Sequence, residues 1–146
     1  MPKMLYAMQF QGSGQPAGEG ILQAATQSNS SRITSTVGPD GLASDITGVE
    51  GGAALFTSEV RMTGDSSFTE TGTIEFGDGH SLEFSTIGEG YIAPSPEDGL
   101  LHGSVMWRIE SGAGQFEGAS GIITSNFTLS AAGEVTDHHF GYIWVP

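Results

Sequence analysis

The feature that most constrains this chain is rhythm: apolar and polar residues alternate in runs of strand length, and glycine-bearing turns cut one run from the next. From Ala54 onward the pattern is regular. Ala54 to Met62 closes at Gly64-Asp65-Ser66, Phe68 to Phe76 at Gly77-Asp78-Gly79, and Ser81 to Ile92 at Pro94 through Gly99. Leu101 to Glu110 leads to Gly112-Ala113-Gly114, Gly121 to Ser130 to Ala131-Ala132-Gly133, and Glu134 to Val145 follows. Earlier, Met4 to Gln11 and Ile21 to Gln27 read as strands, with a shorter β-rich piece at Arg32 to Val37 before the turn Gly38-Pro39-Asp40-Gly41. Leu42 to Gly52 is irregular and reads as a loop or a short helix; helical turns are expected only near residues 40–52 or 94–99. Eight principal strands joined in order by tight turns predict an all-β fold, a closed eight-stranded antiparallel up-and-down barrel that leaves no edge exposed. A two-sheet sandwich is the alternative. A barrel of about eight strands is either filled by its own side chains or holds one small ligand.

Composition agrees. Glycine takes 23 of 146 positions and serine with threonine another 30, against one lysine and three arginines, which excludes an all-helical protein. The length fits a single domain over residues 1–146. A net charge of −13 repels phosphates and anionic lipid heads, so neither nucleic acid nor a membrane is expected as a partner. With no cysteine, disulfides, thiol catalysis and zinc-thiolate sites are excluded. The opening MPKMLYAMQFQGSG does not read as a signal peptide, and no run approaches the ~20 apolar residues of a membrane span, so a cytoplasmic location is expected.

Because side chains alternate along a strand, each run sorts into two faces. The sets assigned inward are Phe68, Glu70, Gly72, Ile74 and Phe76; Leu82, Phe84, Thr86, Gly88, Gly90 and Ile92; and Leu101, Gly103, Val105, Trp107 and Ile109. Ile123, Ser125, Phe127 and Leu129 follow, and on the last strand His138, Phe140, Tyr142 and Trp144. Glycines at 72, 88, 90 and 103 on these faces indicate either unfilled volume or relief of strand coiling. Phe84, Trp107, Phe127 and Trp144 are the expected lining of an apolar cavity. Glu70 is the one carboxylate on these faces: desolvation would raise its pKa and make it a general acid or base near neutral pH. His138 and Tyr142 are the secondary candidates for proton transfer. The outward faces hold Ile87, Tyr91, Met106, Ile122 and Ile143, which points to a homo-oligomer, dimer or trimer.

Two weaker signals lead nowhere. His138 and His139 point to opposite faces and His80 and His102 lie in or beside turns, so no metal site is expected. The run Gly112 to Gly118 mimics a nucleotide loop but leads into a strand, so no helix terminus receives a phosphate.

The decapeptide Gly112-Ala113-Gly114-Gln115-Phe116-Glu117-Gly118-Ala119-Ser120-Gly121, with Phe76-Gly77-Asp78-Gly79-His80, resembles the allene oxide cyclase-like barrel superfamily, which includes dirigent-like proteins and small bacterial barrels. The family's G-[ST]-G-x-F-x-G-A-x-G signature differs here only at Ala113, and the resemblance spans about residues 55–146, with weaker agreement at Leu5 to Gln11. It implies an eight-stranded barrel, often oligomeric, with a cavity for a hydrophobic ligand. In the plant cyclases a glutamate and an asparagine on the first strand assist cyclisation; the positions here are Ala7 and Gln9, so the glutamate is missing and Gln9 is a candidate ligand contact. The apolar pattern of that strand would instead turn Tyr6, Met8 and Phe10 inward, and both registers stay open.

Two functions follow as expectations. One is a cofactor-independent cyclase, isomerase or related lyase acting on a small hydrophobic metabolite inside the barrel. The other is a non-catalytic barrel that binds such a ligand. A filled barrel with an interaction role is a third.

Overall fold

A computed structural model describes residues 2–146. It holds nine strands: β1 Lys3–Gly18, β2 Ile21–Gly38, β3 Gly41–Met62, β4 Ser67–Glu75, β5 Ser81–Thr86, β6 Gly90–Pro94, β7 Leu100–Ala113, β8 Ser120–Ser130 and β9 Glu134–Trp144. All pairings are antiparallel and they close on themselves, since β1 pairs with β9 as well as β2, and β3 pairs with β4. β5 and β6 share one position between β4 and β7, divided at Ile87-Gly88-Glu89, where Gly88 takes a φ of +69° that a side chain would strain. The result is a ring of eight hydrogen-bonded antiparallel strands.

Residues 42–52 depart from expectation. They are neither loop nor helix but the first half of β3, paired residue for residue with β2 from Val37↔Leu42 through Ile33↔Ile46 to Ser31↔Gly48. The reason is local: a Pro-Asp-Gly tip reverses the chain, and apolar pairs and hydroxyl pairs then face each other across the ribbon. β2 joins β1 only through Ile21–Gln27, and β3 joins β4 only through Leu55–Met62. Residues 31–48 therefore form a two-stranded arm beyond the ring, past a bulge between Asn29 and Ser31. No helical turn forms near residues 94–99 either; Ser95 N–H donates to the Leu100 carbonyl at 2.9 Å and closes a turn there. Among the described residues the one helical segment is a 3-10 turn at Gly114–Phe116, and no helix is long and apolar enough to cross a membrane.

That 3-10 turn explains the glycine-rich run. It carries Phe116 into the interior against Phe76, with ring centroids 5.2 Å apart, and the chain then enters β8. Phe116, Tyr6 and Phe76 close one end of the ring. Beside them Phe10, Phe56, Phe84 and Trp107 form the aromatic core, Phe84 and Trp107 at 4.2 Å and Phe56 at 5.5 Å from both. Each such side chain taken wholly out of water contributes about 1.5–3 kcal/mol.

On the outside, the strand registers line up three rows across β1, β9, β8 and β7: Leu5–Tyr142–Ile122–Arg108, Ala7–Phe140–Thr124–Met106 and Gln9–His138–Asn126–Ser104. Leu5, Tyr142, Ile122, Phe140 and Met106 are each 42–59% exposed, and none of the twelve positions is acidic.

Candidate functional site

Glu70 stands on β4 between Phe68 and Gly72 and turns inward, as its strand pattern dictates; it is 7% exposed. The Thr86 hydroxyl clamps its backbone, accepting from Glu70 N–H at 2.6 Å and donating to the Glu70 carbonyl at 2.8 Å. Ser58 Oγ donates to its Oε2 at 2.5 Å. Burial pushes the carboxyl up to about 8; the nearby Asp137 charge adds to the rise, while Ser58 and the Trp107 indole oppose it. The indole N–H exerts that pull without reaching hydrogen-bond geometry, and it has no partner elsewhere.

A second polar group crosses the interior from β1 to β8. Tyr6 lies against His139, its hydroxyl 2.9 Å from Nδ1, and burial followed by the Asp137 charge holds the phenol well above its ordinary pKa. Asp137 Oδ2, 2.9 Å from Nε2, can only accept, so Nε2 carries the hydrogen that faces it, and in the neutral imidazole Nδ1 then accepts from the Tyr6 hydroxyl. Ser125 Oγ donates to Asp137 Oδ1 at 2.6 Å. The imidazole stacks on Phe10 at 4.3 Å and meets Trp107 and Phe56 edge-on at 5.0 and 5.3 Å. Two hydrogen bonds thus fix the orientation of Asp137, and a third, from Tyr6, ties its His139 partner to the closed end of the ring.

Glu70, Asp137 and Ser125 all line a pocket toward the other end, walled by Leu22, Val60, Met62, Phe68, Phe127 and Leu129. Its volume is about 70 Å³. That is well short of the roughly 300–1,000 Å³ of drug-sized sites. Among the described residues no three histidine or carboxylate side chains gather as a metal site would require.

The chain matches no family model, no curated protein and no solved structure. The site's chemistry is therefore read from its own geometry.

Of the residues singled out in the sequence, Glu70, Phe84, Trp107 and Phe127 face inward, with Glu70 and Phe127 on the pocket and Phe84 and Trp107 packed in the core beside it. The last strand is reversed from expectation. His138, Tyr142 and Trp144 lie on its outer face and line no interior site, while Asp137, His139 and Ile143 are buried. The inner volume there is already filled by Phe10, Phe56 and Trp107, which leaves room for one imidazole and not for a row of rings. Ile143, expected outside, is fully buried for the same reason. Tyr6 and Phe10 point in, so Gln9 points out, its amide 3.1 Å from His138 Nε2 on the outer wall.

Three of the four inward glycines, 72, 90 and 103, do not mark unfilled space, while Gly88, at a φ of +69°, has nothing within 4 Å of a Cβ position. A Cβ on Gly72 would meet Phe84 and Ser58 at 2.8 Å, one on Gly103 would meet Phe127 at 2.8 Å, and one on Gly90 would strike the Phe68 ring. Each of these three makes room for an aromatic ring from a neighbouring position.

Asp137, His139, Ser125, Ser58 and Tyr6 were missed as site residues, although one signal could have found Asp137 and His139. The three-residue turn Ala131-Ala132-Gly133 pairs residues of equal parity across the β8–β9 hairpin. Ser125 inward on β8 therefore requires His139 inward on β9.

Proposed function

We propose that this chain is a closed eight-stranded barrel acting as a cofactor-independent isomerase or cyclase on a small hydrophobic molecule. What supports the reading is one juxtaposition: a buried, protonated Glu70 and a hydrogen-bonded Asp137 on the same apolar pocket. At neutral pH Glu70 is mostly the neutral acid and can donate a proton to a developing oxyanion or carbanion. Asp137, held by Ser125 and His139, is placed to accept a proton from substrate carbon. One proton enters and one leaves, the substrate keeps its composition, and no redox partner is needed. Apolar walls supply the desolvation and the positioning. The pocket's volume narrows the substrate to a compact molecule rather than a long acyl chain, apart from any portion extending through the mouth.

The second reading, a non-catalytic ligand-binding barrel, rests on a different observation: Ser58 and Ser125 already occupy the carboxyls, as in a buried network that only stabilises.

The test is proton exchange. Wild-type protein is mixed in D2O with a panel of compact unsaturated cyclic ketones, and deuterium uptake or double-bond migration is followed by NMR. Exchange above buffer is expected for at least one of them, and Glu70→Gln should lower it by about 10²–10⁴-fold while binding persists. Ligand-dependent changes in tryptophan fluorescence without any exchange would establish the carrier reading instead.

A further inference from the structure

The arm is amphipathic. One face carries the cross-strand pairs Ile33–Ile46 and Val37–Leu42, and the other carries Arg32, Thr34, Thr36 and Thr47. An isolated two-stranded ribbon is marginally stable in water, so an apolar face on one needs a cover. The arm's own ring does not supply it. Val37 and Leu42 are 83% and 70% exposed, and a groove of about 530 Å³ separates Ile33 and Ile46 from Gln9 and His138.

The same molecule carries a surface of the complementary kind. On a chain with 17 acidic residues, the outer wall formed by β1, β9, β8 and β7 presents three rows without one carboxylate, and Leu5, Phe140, Tyr142 and Ile122 are exposed at its centre. Two of the four basic residues border it: Arg108 ends the first row, and Lys3 lies 4.8 Å from the Tyr142 ring centroid. The arm's tip carries Asp40, while Asp45 pairs with Thr34 on the polar face that also holds Arg32. At ~3.3 Å per residue the arm's eight-residue strands reach about 26 Å, far enough to cross a neighbouring ring.

We propose that the occupant is a second copy of this chain, each arm laying its apolar face on the partner's outer wall with the tip carboxylate Asp40 toward the basic edge at Lys3 and Arg108. The contact is isologous, so one sequence carries both halves and the assembly closes as a dimer. It is independent of the pocket chemistry. An acid-free wall is also a face that a molecule of net charge −13 can approach without placing carboxylates against carboxylates.

The test is light scattering over a broad concentration range. Wild type should give about twice its 15.1 kDa monomer mass. Replacing residues 31–48 with an Asn-Gly turn should give a folded monomer. Because that deletion could disturb folding, charge exchange provides the second arm. Lys3→Glu with Arg108→Glu should shift the protein to monomer, as should Asp40→Lys, and the three changes in one chain should restore the dimer. Wild type that stays at the monomer mass overturns the proposal, as does a dimer that survives loss of the arm. A dimer weakened by either set of charge changes but not restored by the three together would place the contact elsewhere and overturn the proposal.

Discussion

The two ends of the ring's interior are built from the same strands and do opposite things. At one end Tyr6 meets Phe76 edge to face and Phe116 packs tilted against Phe76, beside the core rings Phe10, Phe56 and Trp107. At the other, Glu70, Asp137 and Ser125 look into open volume past apolar walls. The closed end bears the packing and the other end the chemistry, and the Tyr6–His139–Asp137 chain of hydrogen bonds ties one to the other. The comparison teaches that the polar end can afford a carboxyl in an unfavourable protonation balance because the packed end supplies the stability.

The largest test of that division is a pair of truncations. Trp107 is fully buried in the core, so Trp107→Ala should cost about 3–5 kcal/mol, read as a fall in the urea midpoint. Phe127 is only partly buried and borders the pocket, so Phe127→Ala should cost clearly less, because existing open volume and solvent meet the space it leaves. Equal losses from the two variants would break the distinction between the ends.

Next in size is the pH dependence. Glu70 is raised to about 8 in the folded chain, against 4.5 ordinarily. Between those values the folded protein holds a proton that the unfolded chain has released, so stability falls as pH rises from about 4.5 to about 8 and then levels off. Glu70→Gln removes that slope and should make the protein more stable than wild type at pH 8.5, by up to a few kcal/mol, with little gain at pH 4. Thermal melts at both pH values decide it, and parallel wild-type and variant curves would mean the carboxyl is hydrated.

Much of this arrangement was legible in the sequence. The eight ring strands follow from alternation and glycine turns, and Glu70 stood out because a lone carboxylate interrupted an apolar face. The arm was not legible from Leu42 to Gly52, because on its apolar face Leu42 and Ile46 alternate with Ser44 and Gly48, too few apolar residues to set a strand rhythm. On β9 the pattern of bulk points to the wrong face, because bulk is not the mark of the interior. Phe140, Tyr142 and Trp144 are larger than Asp137, His139 and Gly141, yet the inner space opposite them was already filled from β1, β3 and β7. Size along one strand carries no information about volume contributed by others; hairpin parity does. The inward glycines were ambiguous for the same reason, since the rings that cover Gly72, Gly90 and Gly103 belong to residues distant in sequence.

The smallest effect concerns the tie between the ends. Tyr6→Phe keeps the ring and its edge-on contact with Phe76, centroids 5.7 Å apart, and removes only the hydroxyl that donates to His139 Nδ1. Nδ1 is then a buried acceptor with no donor, which should cost about 1–3 kcal/mol. His139 keeps Nε2–H on Asp137, so Asp137 itself should stay oriented and proton exchange in the pocket should fall much less than for Glu70→Gln. A variant that loses stability but keeps exchange places Tyr6 among the packing residues of the closed end. One that keeps stability but loses exchange would instead make the phenol part of the proton path, and the division between the ends would have to be redrawn through His139.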